Sequence, residues 1–404
     1  MSVKISKIVF YFTLISLFAM SFPYLFDLSN DVFKKDFYAK RIMTIITLPF
    51  FLLFFYISLQ KARNINQKVL YYLLSVVIVI INAFIYGNKI SLIILDTFIL
   101  LLPVFFYLLV YKTNFDKDLF IEKFPLILLI ASILILLNVK LQFSYLTMLA
   151  ILYIIFFSKP NYWLIILLLT LPFLSLKTLI GKSSLLMLIA LFIYLLFFNK
   201  TVTKKRKTII ITSIGILSIT AVSIFWNFFT QTDAYNKMIY FYNNADFSKL
   251  EFKDMSTGHR LYEAKQILHV FKEENLYKKI FGNGPGATID LSQTMDVSVK
   301  RVHKGHLKEV RHIHIGLFAV LHRYGLLGVF IFFYFIKKLF IASKIVLKNT
   351  NDYRWILITL YTLMIIFDSF VTFPHMMSNF IFWLFAFMIL KKRDEIINQQ
   401  YAIS

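Results

Sequence analysis

The sequence predicts an all-α, polytopic membrane protein, on three observations. Hydrophobic residues make up 59% of the 404 and the mean hydropathy is +0.72, whereas soluble domains are about 45–50% apolar. The apolar residues fall in runs close to the ~20 residues that a helix needs to cross a bilayer. Stretches such as LILLIASILILLNV (126–139) lack the alternation of a barrel strand. Finally, lysine and arginine gather in alternate connections, as they do where loops face the cytoplasm.

Twelve helices are expected, at 8–26, 42–60, 69–86, 90–111, 124–139, 142–157, 162–176, 179–198, 208–228, 313–336, 355–373 and 378–390. The opening MSVKISKIVFYFTLISLFAM resembles a signal peptide but has no small-residue cleavage site, so it reads as an uncleaved first span. With the N-terminus inside, the inner segments collect 22 Lys and Arg against 8 in the short outer loops. That asymmetry puts both termini in the cytoplasm and the long segment after 228 on the outer face. The expected organisation is a bundle of about nine helices over 1–228, an extracytoplasmic loop domain over 229–312, and about three helices over 313–404. The net charge of +23 is thereby explained by orientation, and no nucleic-acid partner is implied. Cysteine is absent, which excludes disulfides, thiolate metal sites and a cysteine nucleophile.

The long segment is the one substantial aqueous domain, with 13 Lys/Arg and 10 Asp/Glu over 229–311. Within it, GHRLYEAKQILHVFKEENLYKKIFG reads as a single amphipathic helix, since Leu261, Ala264, Ile267, Leu268 and Phe271 fall at 3–4 spacing. Gly282 is expected to stop it. The following GNGPG lacks both the GxGxxG spacing and the Walker lysine, so it reads as a turn and not as a nucleotide loop.

HIHIGLFAVLHRYGLLG (312–328) opens the next apolar run with histidines and threads glycines through it. On an uninterrupted helix at 100° per residue, Leu321, Gly325 and Gly328 lie within about 40° of His314. The two glycines suit close helix packing. Arg311 and His314 share a face if the helix begins early. Charged residues inside spans point to function or pairing: Arg323, about ten residues along its run, and Asp96 and Asp368, each nearer the outer end. An ion pair between Arg323 and one of these aspartates is the structural alternative. His322 is expected to pack or hydrogen-bond.

Three passages, in order, resemble the O-antigen ligase and O-antigen polymerase superfamily of membrane glycosyltransferases. LKTLIGKSS, where Lys177 and Lys182 bracket a hairpin, is similar to a Ser/Thr-rich basic turn of that family. STGHRLYEAKQIL followed by GNGPG resembles its small-Gly-Arg helix start and its Gly-x-Gly-x-Gly turn, with Arg260 at the basic position. His314, nine intervening residues after Ile315, and then Gly325 and Gly328 resemble its His-Asn pair followed by Gly-x-x-Gly. Ile315 stands where the family has asparagine, which leaves both His314 and His312 as bearers of the histidine role.

The resemblance implies a GT-C-like membrane fold and glycosyl transfer from undecaprenyl pyrophosphate at the outer face of the bacterial cytoplasmic membrane. Arg260 would stabilise the leaving pyrophosphate, with Arg311, Lys182, Lys177 and His312 as further substrate contacts. His314 would be the general base or a pyrophosphate contact. No cofactor or metal is called for. The implied partners are the lipid-linked oligosaccharide, membrane lipids and, as a candidate, a chain-length regulator protein. A polysaccharide polymerase is the leading reading. The alternatives are a ligase onto lipid A core and a lipid-linked oligosaccharide flippase, for which two similar halves would be expected.

Overall fold

The computed structural model describes residues 5–15, 67–113, 115–128, 190–212, 245–246, 251–252, 255–292, 307–310, 313, 315–371 and 379–403, with scattered single positions besides. Their architecture is mostly helical. α1 (Ile5–Ile15) precedes α2 (Gln67–Ile85) and α3 (Ile90–Tyr107), which runs on as a π-helical turn, Leu108–Lys112. α4 is the short Lys117–Glu122, and a second π-helical turn covers Tyr194–Phe198. In the long segment, β1 (Ala245–Asp246) pairs antiparallel with β2 (Glu251–Phe252), and then come α5 (Met255–Glu273) and α6 (Leu276–Phe281). α7 (Gly316–Asn349), α8 (Tyr353–Val371) and α9 (Phe380–Ile403) close the chain. Among the described residues three helical stretches are long and apolar enough to cross a membrane: Ile90–Lys112, Gly316–Asn349 and Tyr353–Phe370.

α8 lies deepest. Ile356, Leu357, Ile358, Ile365 and Ile366 are fully buried and pack with Phe382, Phe385 and Ile389 of α9. Three of its buried hydroxyls bond within the helix: those of Thr359, Thr362 and Ser369 donate to the carbonyls four residues back at 2.8, 2.9 and 2.8 Å. At the start of α9 the Asn379 side chain accepts from the Phe382 amide (3.0 Å) and donates to the Tyr361 hydroxyl (3.1 Å).

Two helices outrun the apolar stretches that predicted them. α7 continues past 336 to Asn349 and α9 past 390 to Ile403. An apolar run measures bilayer thickness, whereas a helix continues while its residues favour it, and lysine is a good helix former. Beyond Lys337 and Lys338 the buried face is kept by Leu339, Ala342 and Val346, all 0% exposed, at helical spacing. The stretch expected as an inner loop after 336 is therefore a helical extension as far as 349.

Helix directions can be read from their connections. The α2–α3 turn at Gly87–Lys89 meets the long segment, because the Asn88 amide donates to the carbonyls of Asn283 (2.8 Å) and Pro285 (2.9 Å) and Lys89 pairs with Glu309. That end is called the loop end below. At the opposite end α3 is tied to α9: the Tyr111 hydroxyl donates to Asp394 (2.9 Å) and Lys391 to the Val110 carbonyl (2.7 Å).

Asp352, just before α8, accepts from Arg354 Nε (2.9 Å) and Nη2 (2.7 Å). Burial pushes its carboxyl up, but the guanidinium outweighs this and holds it below the ordinary 3.8. A depressed folded value stabilises the fold above the unfolded pKa, and this stabilisation is lost as pH falls through the folded one. Thermal unfolding in detergent is thus expected to show wild type above Asp352→Asn at neutral pH, with the gap closing below about pH 4. A pH-independent gap would contradict the pairing.

Candidate functional site

The site is built where the long segment meets a break in α7. α5 ends at Glu273, and Asn275 restarts the chain as α6 by accepting from the Lys278 amide (2.9 Å). The single amphipathic helix expected here is therefore two, since an asparagine with a side-chain oxygen near the next amides favours capping over helix interior. Gly282 does end α6. Its φ of +75° is open to glycine, and its amide donates to the Lys278 carbonyl (2.7 Å).

α7 starts at Gly316, with Ile315 as N-cap, and breaks at Gly325, where φ is 62° and ψ −162°. A break leaves carbonyls of the preceding turn in need of donors. The GNGPG turn supplies them. Asn283 and Gly284 donate their amides to the carbonyls of His322 (3.1 Å) and Arg323 (2.8 Å), and the Asn283 side chain adds a bond to His322 (3.3 Å) and one to Glu274 (2.6 Å). This contact runs backbone against backbone. A Cβ on Gly282 would lie 2.4 Å from the Arg323 carbonyl oxygen, and one on Gly325 2.4 Å from that of Ile280. A Cβ on Gly284 would meet the Ala83 amide of α2 at 2.6 Å.

Below the turn sits a buried ion pair. Arg323 Nη1 stands 3.5 Å from Asp96 Oδ2, with the carboxylate 1% exposed. The same oxygen accepts the Gly286 amide at 2.8 Å. The turn thus contributes a donor to the charge pair, and Asp96 pairs with Arg323. Measured from the start of α7 at Gly316, Arg323 lies roughly 10 Å in, fewer residues along its helix than the ten counted from the apolar run. His322 accordingly plays a structural part, its Nε2 lying 3.2 Å from the Thr288 carbonyl.

Around the turn a small core forms from Ile267, Ile289, Leu291, Val310, Ile313 and Ala319. An isolated bridge joins Ile289 to Val310, and the Leu291 amide donates to Leu307 (2.7 Å). α5 lies against this core through Ile267. On the same helix Arg260 is half-buried and Glu263 fully buried.

Of the residues to which the resemblance assigns a part, Arg260, Gly325 and Gly328 are described. Lys177, Lys182, Arg311, His312 and His314 lie outside the described residues. The glycine stripe needs correction. Because α7 begins after His314 and breaks at Gly325, one helical wheel cannot run from residue 314 to 328. Gly325 packs on the turn of the long segment and not on a neighbouring span. Gly328 makes room within its own helix, a Cβ there meeting Tyr324 Cβ at 2.3 Å. Ahead of α7, Val310 is engaged with Ile289. Leu268, expected on the apolar face of α5, is 40% exposed. Glu263 takes a buried place there instead. Sequence reading passed over it, although it falls one turn before Ile267 on the apolar side, where a carboxylate stands out.

No protein-family model matches the chain, and no curated protein matches it either.

Two outcomes follow from this geometry. Gly282→Ala and Gly325→Ala are each expected to destabilise by roughly 3 kcal/mol or more, because backbone atoms must move. Gly87→Ala, with φ +67° but nothing within 4 Å, should cost only about 1 kcal/mol. Thermal unfolding, together with limited proteolysis of the 255–310 segment, separates the two classes. Asp96→Asn and Arg323→Met should each cost about 3–5 kcal/mol by leaving one charge buried. The double variant should lose much less than the sum, which a double-mutant cycle measures.

Proposed function

We propose that this chain is a membrane glycosyltransferase of the O-antigen polymerase kind, with about twelve spans in a GT-C-like arrangement and both termini in the cytoplasm. It transfers a glycan from undecaprenyl pyrophosphate to a lipid-linked repeat unit at the outer face of the cytoplasmic membrane. The observation that carries this reading is the docking of the GNGPG turn onto the Gly325 break. Two of the passages that resemble the superfamily, far apart in sequence, meet there in backbone contact.

The chemistry asks for three things at one interface. The lipid carrier must reach the site from the bilayer. Negative charge building on the leaving pyrophosphate needs fixed cations, a role assigned to Arg260 on α5, with Arg311, Lys182 and Lys177 as further contacts. The acceptor hydroxyl needs a base, and His314 and His312 stand immediately before the N-cap of α7 in the chain. The turn's role is positional: it fixes α6, which follows the Arg260 helix, against α7. A chain-length regulator is the further partner this reading admits.

A flippase would need a polar route through the bundle. Among the described residues, the cavity between α2, α3, α7 and α9 is lined mainly by apolar and aromatic side chains and offers no such route.

The test replaces Arg260 and His314 singly with alanine in the native host and separates the surface glycan by gel. Loss of long chains with one-repeat material retained is expected, with turnover down about 10²–10³-fold for a lost charge-stabilising group. Unchanged chains in both variants would overturn the assignment. Polymer that accumulates on the carrier but fails to reach lipid A core would make the protein a ligase.

A further inference from the structure

The second feature of the bundle is a cavity of about 770 Å³ between α2, α3, α7 and α9. It runs along α7 from Val320 to Lys338, roughly 27 Å by helical rise. Tyr72, Val76, Pro103, Leu327 and Phe335 are among its walls. At the end away from the loop its lining changes character, to Lys338 and Arg393 beside Tyr111. Lys338 is exposed and lies over the Tyr334 ring at 5.5 Å. Arg393 donates Nε to Asp394 (2.9 Å), which also accepts from Tyr111, so the guanidinium is fixed at the mouth. Lys337, Lys391 and Lys392 flank these two in the chain, against Asp394 and Glu395.

An apolar cleft between spans with cations at its cytoplasmic mouth has the chemistry of a site for an anionic lipid. We propose that it binds an anionic phospholipid of the cytoplasmic leaflet, one acyl chain in the cleft and the phosphate against Lys338 and Arg393. The carrier lipid is the wrong occupant. Its pyrophosphate is used at the loop end, near Arg260, whereas these cations lie at the other end. The inference rests on the proposed function for its orientation and for setting the carrier lipid aside, but its readout is lipid binding alone, so it can fail while glycosyl transfer stands.

The test uses the full chain in detergent, exchanged until no phospholipid is retained, then titrated with dioleoyl phosphatidylglycerol, dioleoyl phosphatidylcholine or undecaprenyl phosphate. Native mass spectrometry reads the bound lipid. One phosphatidylglycerol per chain should be held at least fivefold better than phosphatidylcholine. Lys338→Gln should reduce that preference about fivefold, the factor corresponding to ~1 kcal/mol per basic residue at an anionic headgroup, while leaving phosphatidylcholine binding as it was. Val76→Trp should fill the cleft and remove both lipids, with Leu327→Trp as a second filling variant should the first fail to fold. Equal binding of the two phospholipids, a preference that survives Lys338→Gln, or lipid retained by a folded cleft-filling variant would each overturn the proposal. Displacement of phosphatidylglycerol by an equal concentration of undecaprenyl phosphate would overturn it too, assigning the cleft to the carrier.

Discussion

The arrangement depends on two backbone carbonyls, those of His322 and Arg323, which accept from the amides of Asn283 and Gly284 in a turn that arrives from the long segment. Inside a membrane-spanning bundle a helix break is tolerated only where something else satisfies the freed groups. The turn fills that need, but only if neither partner carries a Cβ at the contact. Gly282 and Gly325 therefore constrain each other, and the third glycine of the contact, Gly284, fits against Ala83. One backbone junction thus fixes α6, α7 and the end of α2 together.

The ion pair follows from the same junction. Asp96 lies on α3 and Arg323 on α7, and the carboxylate also takes an amide from the turn. A charge pair taken out of water gains from its Coulomb attraction only when its remaining hydrogen-bonding positions are filled. The Gly286 amide fills one. Without the docked turn the pair would lose that donor, so the stability of the bundle near α3 and the position of the long segment are coupled. This coupling runs through contact and charge and needs no moving part.

Much of this was legible in the residues. Gly282 announced the end of a helix, the apolar runs announced α2, α3, α7 and α8, and three charged residues in spans announced that a pairing was to be found. The partner could not be read, since Asp96 and Asp368 are equivalent in sequence and only packing separates them. The break at Gly325 was hidden for a related reason: a glycine in an apolar run reads as helix packing, and a positive φ there is visible only once the Gly282 turn is known to meet it. The helical wheel failed on that account, because it assumes one unbroken axis. Helix length was misjudged because hydropathy stops at Lys337 while the pattern Leu339, Ala342, Val346 goes on. Glu263 shows the opposite case, where the wheel held the signal and the eye for apolar residues passed it by.

The order of the passages along the chain gains meaning from the fold. Arg260 lies on α5, the turn follows α6, and the His312–His314 stretch runs into the start of α7. Of these, α5 and the first turns of α7 share one small core, through Ile267 and Ala319. α5 and the first turns of α7 are therefore held by the same few side chains, and the turn fixes α6 against α7. The transfer reaction proposed above would need its cation and its base at fixed separation while a lipid comes and goes beside them. A backbone junction meets such a requirement better than paired side chains would, since it holds without drawing on the polar side chains of α5.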